Sequence, residues 1–168
     1  MIAKLVVEGK EFDIEILDPK LQELIAPKKK TGYERVNNGE MFYSVRADGT
    51  IFDPIENHGI THDLYYSIAN YYSSADVAED NSRADELMHQ LRRFAVEHRK
   101  NNIDWDNCDQ RKFYIGYDCQ RKVFDIECDT DYITSHTIYF DSYESAEDAM
   151  HIFASELKWY FTEYKDSL

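Results

Sequence analysis

Apolar and polar positions alternate with a period of two at the start of the chain. Leu5 and Val7 lead into Glu8-Gly9-Lys10, and Phe12, Ile14 and Ile16 alternate back. This pattern predicts a hairpin over Ala3 to Ile16, and since an isolated hairpin is marginal in water, one that lies on something. Asp18 to Ala26 places Leu21, Leu24 and Ile25 on one helical side before Pro27 stops it, and Lys28-Lys29-Lys30-Thr31-Gly32 reads as a basic linker. Met41 to Arg46 and Thr50 to Asp53 then read as strands around the turn Ala47-Asp48-Gly49. Glu56 to Asp63 reads as an irregular polar segment, and tyrosine-rich Leu64 to Tyr72 as a third strand. From Ala75 to Arg99 the period becomes helical, with Ala84, Leu87, Met88, Leu91, Phe94 and Ala95 at steps of three and four and a bend expected near Asn81.

The second half follows the same order. After a polar linker from Asn101 to Asp109, Arg111 to Asp118 carries Phe113, Ile115 and Tyr117 on one strand face. Cys119 to Lys122 turns, and Val123 to Cys128 returns with Phe124, Ile126 and Cys128 on one face. Tyr132 to Phe140 reads as a third strand. The final helix runs through Ala146, Ala149, Met150, Phe153, Ala154, Leu157, Tyr160, Phe161 and Tyr164 at helical spacing. The two strand-to-helix junctions correspond: Tyr71-Tyr72-Ser73-Ser74-Ala75-Asp76 in the first half, Tyr139-Phe140-Asp141-Ser142-Tyr143-Glu144 in the second. Ser74 and Ser142 stand where N-caps are needed, with acids facing the positive end of each helix dipole. Phe42-Tyr43 matches Phe113-Tyr114, and Phe52-Asp53 matches Phe124-Asp125. The expectation is an α+β fold: an N-terminal β-hairpin and basic linker over residues 1–32, then two tandem repeats, 33–101 and 102–168. Each repeat is a three-stranded antiparallel meander followed by a helix, with one face of each sheet covered and the other wet.

Hydrophobic residues at 43% with 14% aromatics favour a folded chain over a disordered acidic one. With no apolar run of membrane length and no signal-peptide pattern, the expected location is the cytoplasm. Cys108, Cys119 and Cys128 are odd in number and lack metal-ligand spacing, which suits free thiols in a reducing compartment, Cys128 being a buried inert one. The net charge of −14 disfavours nonspecific contact with nucleic acid or anionic membrane and permits binding to a basic protein surface.

The acids are unevenly placed. No lysine or arginine lies between Arg46 and Arg83, where Asp48, Asp53, Glu56, Asp63, Asp76, Glu79 and Asp80 fall. None lies between Lys122 and Lys158, which contain Asp125, Glu127, Asp129, Asp131, Asp141, Glu144, Glu147, Asp148 and Glu156. Helix N-termini and wet strand faces account for many of these acids, but not for the exclusion of cations from the strands. The candidate partner-binding surface is therefore Asp125, Glu127, Asp129 and Asp131, with Asp48, Asp53, Glu56 and Asp63 as counterparts. Catalytic motifs are missing: there is no phosphate-binding glycine loop, nucleophile elbow or zinc-protease helix motif. His58 and His62 are four apart but sit in a loop, and Asp104, Asp106, Cys108 and Asp109 lack the glycine and glutamate of a calcium loop. Cys128 with His136 has no supporting pattern. No catalytic residue, metal or cofactor is assigned.

Tyr33-Glu34-Arg35-Val36 and Gly39-Glu40-Met41-Phe42-Tyr43, with Asn70-Tyr71-Tyr72, Arg93-Phe94-Ala95, Glu97-His98, Ile103-Asp104-Trp105 and Ile138-Tyr139-Phe140, resemble an accessory-protein family of phages and prophages of Gram-positive bacteria. The resemblance covers about Tyr33 to Tyr164 and leaves out the N-terminal hairpin. Small acidic phage proteins of this kind are similar in character to anti-CRISPR proteins, an analogy of class rather than of motif. It implies a non-enzymatic inhibitor of a bacterial defence system that meets a basic nucleic-acid-handling protein, such as a CRISPR effector nuclease, by mimicking nucleic acid. Two other readings stand beside it. One is a module sequestering a small molecule such as a nucleotide signal, in a pocket made by Glu56 to His62 and Asp129 to His136. The other is direct nucleic-acid binding through Arg92, Arg93, Arg99, Lys100, Arg111 and Lys112, against which the net charge argues.

Overall fold

The alternation at the N-terminus becomes β1 (Ile2–Val7) and β2 (Lys10–Glu15), an antiparallel pair in the computed structural model, which describes residues 2–7, 10–21 and 30–164. Leu5 pairs with Phe12 in register, and Lys4 meets Glu11 at 2.6 Å. β2 is exposed along its whole length, with Phe12 49% accessible. Residues 19–21 are helical, while the rest of the helix expected from Asp18 to Ala26 and most of the lysine linker lie outside the described residues.

In the next segment β3 (Ser44–Val45) pairs with β4 (Ile51–Phe52). Gly49 turns between them at φ +81°, a left-handed backbone that glycine adopts without a Cβ penalty. Beyond these short strands pairing continues as single bridges, Met41 with Ile55 and Tyr43 with Tyr72. α1 (Ile60–Ser67) occupies the stretch expected to be loop and third strand, and so corrects both assignments. Tyrosines favour strands locally, but here tertiary packing overrides that preference: Tyr65 lies 5.7 Å from Phe52 and 6.4 Å from Phe42, ring to ring. α2 (Ala75–Glu97) is uninterrupted, including at Asn81, whose amide donates to the Val77 carbonyl at 2.7 Å. It buries Ala78, Ala84, Leu87, Leu91, Phe94 and Ala95.

β5 (Lys112–Asp118) and β6 (Val123–Asp129) form the longest sheet after the polar linker, in register from Lys112↔Asp129 to Asp118↔Val123. The expected third strand, Tyr132 to Phe140, shrinks to one bridge between Phe140 and Phe113. The final helix is divided at Phe153 into α3 (Tyr143–Ile152) and α4 (Ala154–Trp159), and ends in a π-helical turn at Tyr160–Tyr164.

The result is a mixed α/β protein with small antiparallel sheets, each of two strands among the described residues. The halves share a junction rather than a meander. Tyr43 and Tyr72 exchange both backbone hydrogen bonds, at 2.8 and 2.9 Å, and Phe113 and Phe140 do so at 3.0 and 2.7 Å. Two residues after each bridge comes the helix N-cap, Ser74 or Ser142. Ser142 accepts a hydrogen bond from the Ser145 N–H at 3.2 Å, whereas the Ser74 side chain makes no capping bond.

The main core gathers Leu87, Leu91, Phe94, Phe140, Ala146, Ala149 and Leu157, with Phe113, Ile115, Phe124 and Ile126 packed against it from the β5–β6 hairpin. Fully burying each of the three leucines contributes roughly 1.5–3 kcal/mol. Arg83 ties α2 to α4 through two contacts with Glu156, at 2.7 and 3.1 Å, its guanidinium 4.0 Å from the Trp159 ring. Among the described residues no helix is long and apolar enough to cross a membrane.

Candidate functional site

The register of β5 and β6 decides which side chains meet solvent. Phe113, Ile115, Phe124 and Ile126 turn to the core, so Asp125, Glu127 and Asp129 share the opposite face with Lys112, Tyr114 and Gly116. At the rise of a strand, carboxylates two residues apart are spaced ~6.7 Å. Asp131 follows, exposed, two residues further on.

The row is not uniformly free. Arg121, in the turn, reaches Asp118 at 2.6 Å and Asp125 at 3.0 Å, which neutralises part of the near end. Glu127 accepts the Tyr114 hydroxyl at 2.8 Å. That bond, with burial second, pushes the Tyr114 phenol up to about 12 and keeps it protonated as a donor. A Cβ at Gly116 would sit 3.3 Å from Glu127 Oε1, so the missing side chain leaves room for the carboxylate. Lys112 faces Asp129 in register, yet its ammonium does not reach the surface. It is fully buried, its Nζ donating to the carbonyls of Thr130 at 2.6 Å and Asn107 at 2.8 Å, 5.2 Å from the Trp105 ring. That also removes Lys112 from the basic set considered for nucleic acid.

The four counterparts in the first half do not form a matching row. Asp48 closes its own turn, accepting from the Thr50 N–H at 3.1 Å and hydroxyl at 2.7 Å. Asp53 is exposed. Asp63 is held by Arg35 at 2.7 Å. Glu56 is buried, at 1% exposure, and so corrects its assignment to the surface.

Glu56 is the centre of a closed polar cluster. Its carboxylate accepts from Arg35 Nε at 3.1 Å and Nη2 at 3.3 Å, from the Tyr71 hydroxyl at 2.7 Å and from the His58 N–H at 2.6 Å. His62 Nδ1 lies 3.1 Å away. Phe42 stacks on Tyr71 at 4.0 Å and meets His62 edge-on at 4.9 Å, walling the cluster from water. Burial pushes the Glu56 carboxyl up, but Arg35, Tyr71, the His58 N–H and His62 together outweigh it, so the group ionises well below the usual carboxylate range. Burial and Glu56 push the Tyr71 phenol up to about 12. With each oxygen engaged, the arrangement suits a structural anchor that seats α1 on the β3–β4 hairpin. No local sequence pattern marks it, although Arg35 is the sole cation between Lys30 and Arg46.

Among the described residues no group of three or more His, Cys, Asp or Glu is placed to hold a metal ion. Cys128, expected to be buried, is exposed, as are Cys108 and Cys119. The chain matches no family model, no curated protein and no solved structure.

Proposed function

We propose that the protein is a non-enzymatic inhibitor that binds a basic, nucleic-acid-handling protein through the carboxylates of β6 and Asp131 just beyond it. The observation that carries this reading is that Asp125, Glu127 and half-buried Asp129 share one face of the β5–β6 hairpin, with exposed Asp131 just beyond it, while Lys112 on the same face is buried. A strand presents such charges at fixed intervals with little conformational entropy left to lose, which suits a groove built for regularly spaced phosphates. The overall charge of −14 speeds encounter with a positive partner and disfavours association with nucleic acid itself. Glu56 and Asp63, tied to Arg35, are left out of the interface.

The partner is an effector of a bacterial defence system, most specifically a CRISPR effector nuclease, met in the host cytoplasm as a phage-encoded protein would meet it. Occlusion requires no chemistry from the inhibitor. The test replaces Asp125, Glu127, Asp129 and Asp131 together by serine and measures inhibition of target cleavage by such nucleases across a salt series. The variant inhibits less, and inhibition by the parent weakens as salt rises. Equal inhibition by parent and variant at every salt concentration would overturn the mimicry mechanism.

A further inference from the structure

The main core does not close completely on one side. A cleft of about 240 Å³ opens between α2, β5 and the C-terminal helical segment. Buried Leu91, Phe140 and Leu157 form its floor, Ile138 and Phe161 line it, and exposed His136 stands at its mouth. A second cavity of about 210 Å³ shares Met88, His136 and Tyr160 with the first, so the two adjoin along one groove edge of α2. Its polar lining is different: His89 and Arg92 from α2, with Asp85 as the one carboxylate. Arg92 makes no ion pair among the described residues, whereas Arg35, Arg83 and Arg121 each hold acids.

His136 is held in an unusual conformation for a residue with a side chain, at φ +66°. The loop that carries it is braced: the Thr134 N–H donates to the Tyr139 hydroxyl at 3.0 Å, and the Thr134 and Thr137 hydroxyls meet at 2.6 Å. Backbone strain maintained by surrounding bonds is characteristic of ligand clamps.

We propose that this groove binds an amphipathic carboxylate. The apolar chain lies in the cleft over Leu91, Phe140 and Leu157, and the head lies among Arg92, His89 and His136. Taking the roughly 30 Å³ that one water occupies in the liquid as the unit, the cleft of about 240 Å³ takes a chain of about eight carbons. Arg92 supplies a fixed cation and His89 and His136 each offer a ring N–H, so donors outnumber the single carboxylate acceptor Asp85 and the lining suits an anionic head better than a cationic one. The long-range field of an acidic protein opposes anions, so the discrimination must come from contact with Arg92 at the groove.

The test titrates the intact protein with decanoate, 1-decanol and decyltrimethylammonium, by calorimetry and by the fluorescence of Trp159, which packs against Tyr160 and Tyr164. Decanoate binds saturably at one site, and more tightly than either other head group. Arg92→Glu weakens decanoate ~10-fold or more, about the effect of losing one charged contact. His136→Gly also weakens it without lowering the melting temperature, because glycine accepts the positive φ. Ile138→Trp fills the cleft and removes binding, with circular dichroism melts distinguishing a lost site from a lost fold. Three outcomes overturn the proposal: no saturable binding of decanoate up to about 1 mM, equal affinity for all three head groups, or parent-like affinity in Arg92→Glu. The Asp125, Glu127, Asp129 and Asp131 serine variant keeps decanoate binding, so failure of one site is distinguishable from failure of the other.

Discussion

Replacing Glu56 by alanine removes one carboxylate and strands several partners at once. Arg35 loses contacts at 3.1 and 3.3 Å but keeps Asp63 at 2.7 Å and, at 26% exposure, can take up water. Tyr71 has no such recourse: its ring is 1% exposed, and its hydroxyl loses the acceptor at 2.7 Å. A buried donor left unpaired costs about 1–3 kcal/mol. Breaking a buried ion pair by removing one partner costs about 3–5 kcal/mol. Because the surviving arginine is partly solvated and retains a second acid, the low end applies, and the expected loss is about 3–4 kcal/mol. At a urea slope of about 2 kcal/mol/M the unfolding midpoint falls by roughly 1.5–2 M. Glu56→Gln keeps the volume and one acceptor and should lose about 1–2 kcal/mol.

The pH dependence has a definite sign. A carboxyl whose pKa is depressed by folding adds stability that is complete above its unfolded value, 4.5 for Glu56, and is lost as pH falls through the folded value. Parent and Glu56→Gln should therefore converge in stability as the pH is lowered from about 5 toward 2. Urea unfolding followed by tryptophan fluorescence and circular dichroism reads both effects. A Glu56→Ala midpoint equal to the parent's, or a parent–Gln difference that widens in acid, would refute the account of this cluster.

Other expectations rest on single contacts. Ser142→Ala should lose about 1 kcal/mol with its cap, while Ser74→Ala, which removes no capping bond, should leave the melting temperature unchanged; equal losses would contradict the cap geometry. Gly32→Ala places a Cβ 2.6 Å from Val77 Cγ2 at φ +90°, so thermal melts should show a loss of more than about 1 kcal/mol, eased in a Val77→Ala background; a stabilised variant would count against the close approach. Lys112→Met keeps the apolar stem and strands two carbonyls, for a loss of about 2 kcal/mol in urea unfolding, where no change would show the ammonium to be dispensable.

Much of the local structure could be read along the chain. The alternation of Phe113, Ile115, Phe124 and Ile126 predicts the β5–β6 hairpin and its core face, and the steps through Leu87, Leu91 and Phe94 predict the buried side of α2. These patterns succeed because each position's environment is set by neighbours within one turn or one strand pair. The Ser142 cap was legible for the same reason. Arg121 was also within local reach of Asp118 and Asp125, three and four residues away, and its effect on the acidic row could have been anticipated.

Where distant residues decide, the pattern along the chain had little to say. Ile60 to Ser67 suits helix or strand by composition, and the rings of Phe42, Phe52 and Tyr71, brought in from either side, accompany the helix. The third strands of both halves dwindled to Tyr72 and Phe140, because a run of β-forming residues becomes a strand only where a partner edge extends beside it. Glu56 looked like one more acid of a wet loop until Arg35, twenty-one residues upstream, and Tyr71 enclosed it. Sequence alone determined the periodicities, the junctions before the two long helical segments and the excess of negative charge. Tertiary structure alone decided which charges remain free, since the field of a carboxylate depends on where cations and water end up in space and not on how far away they lie along the chain.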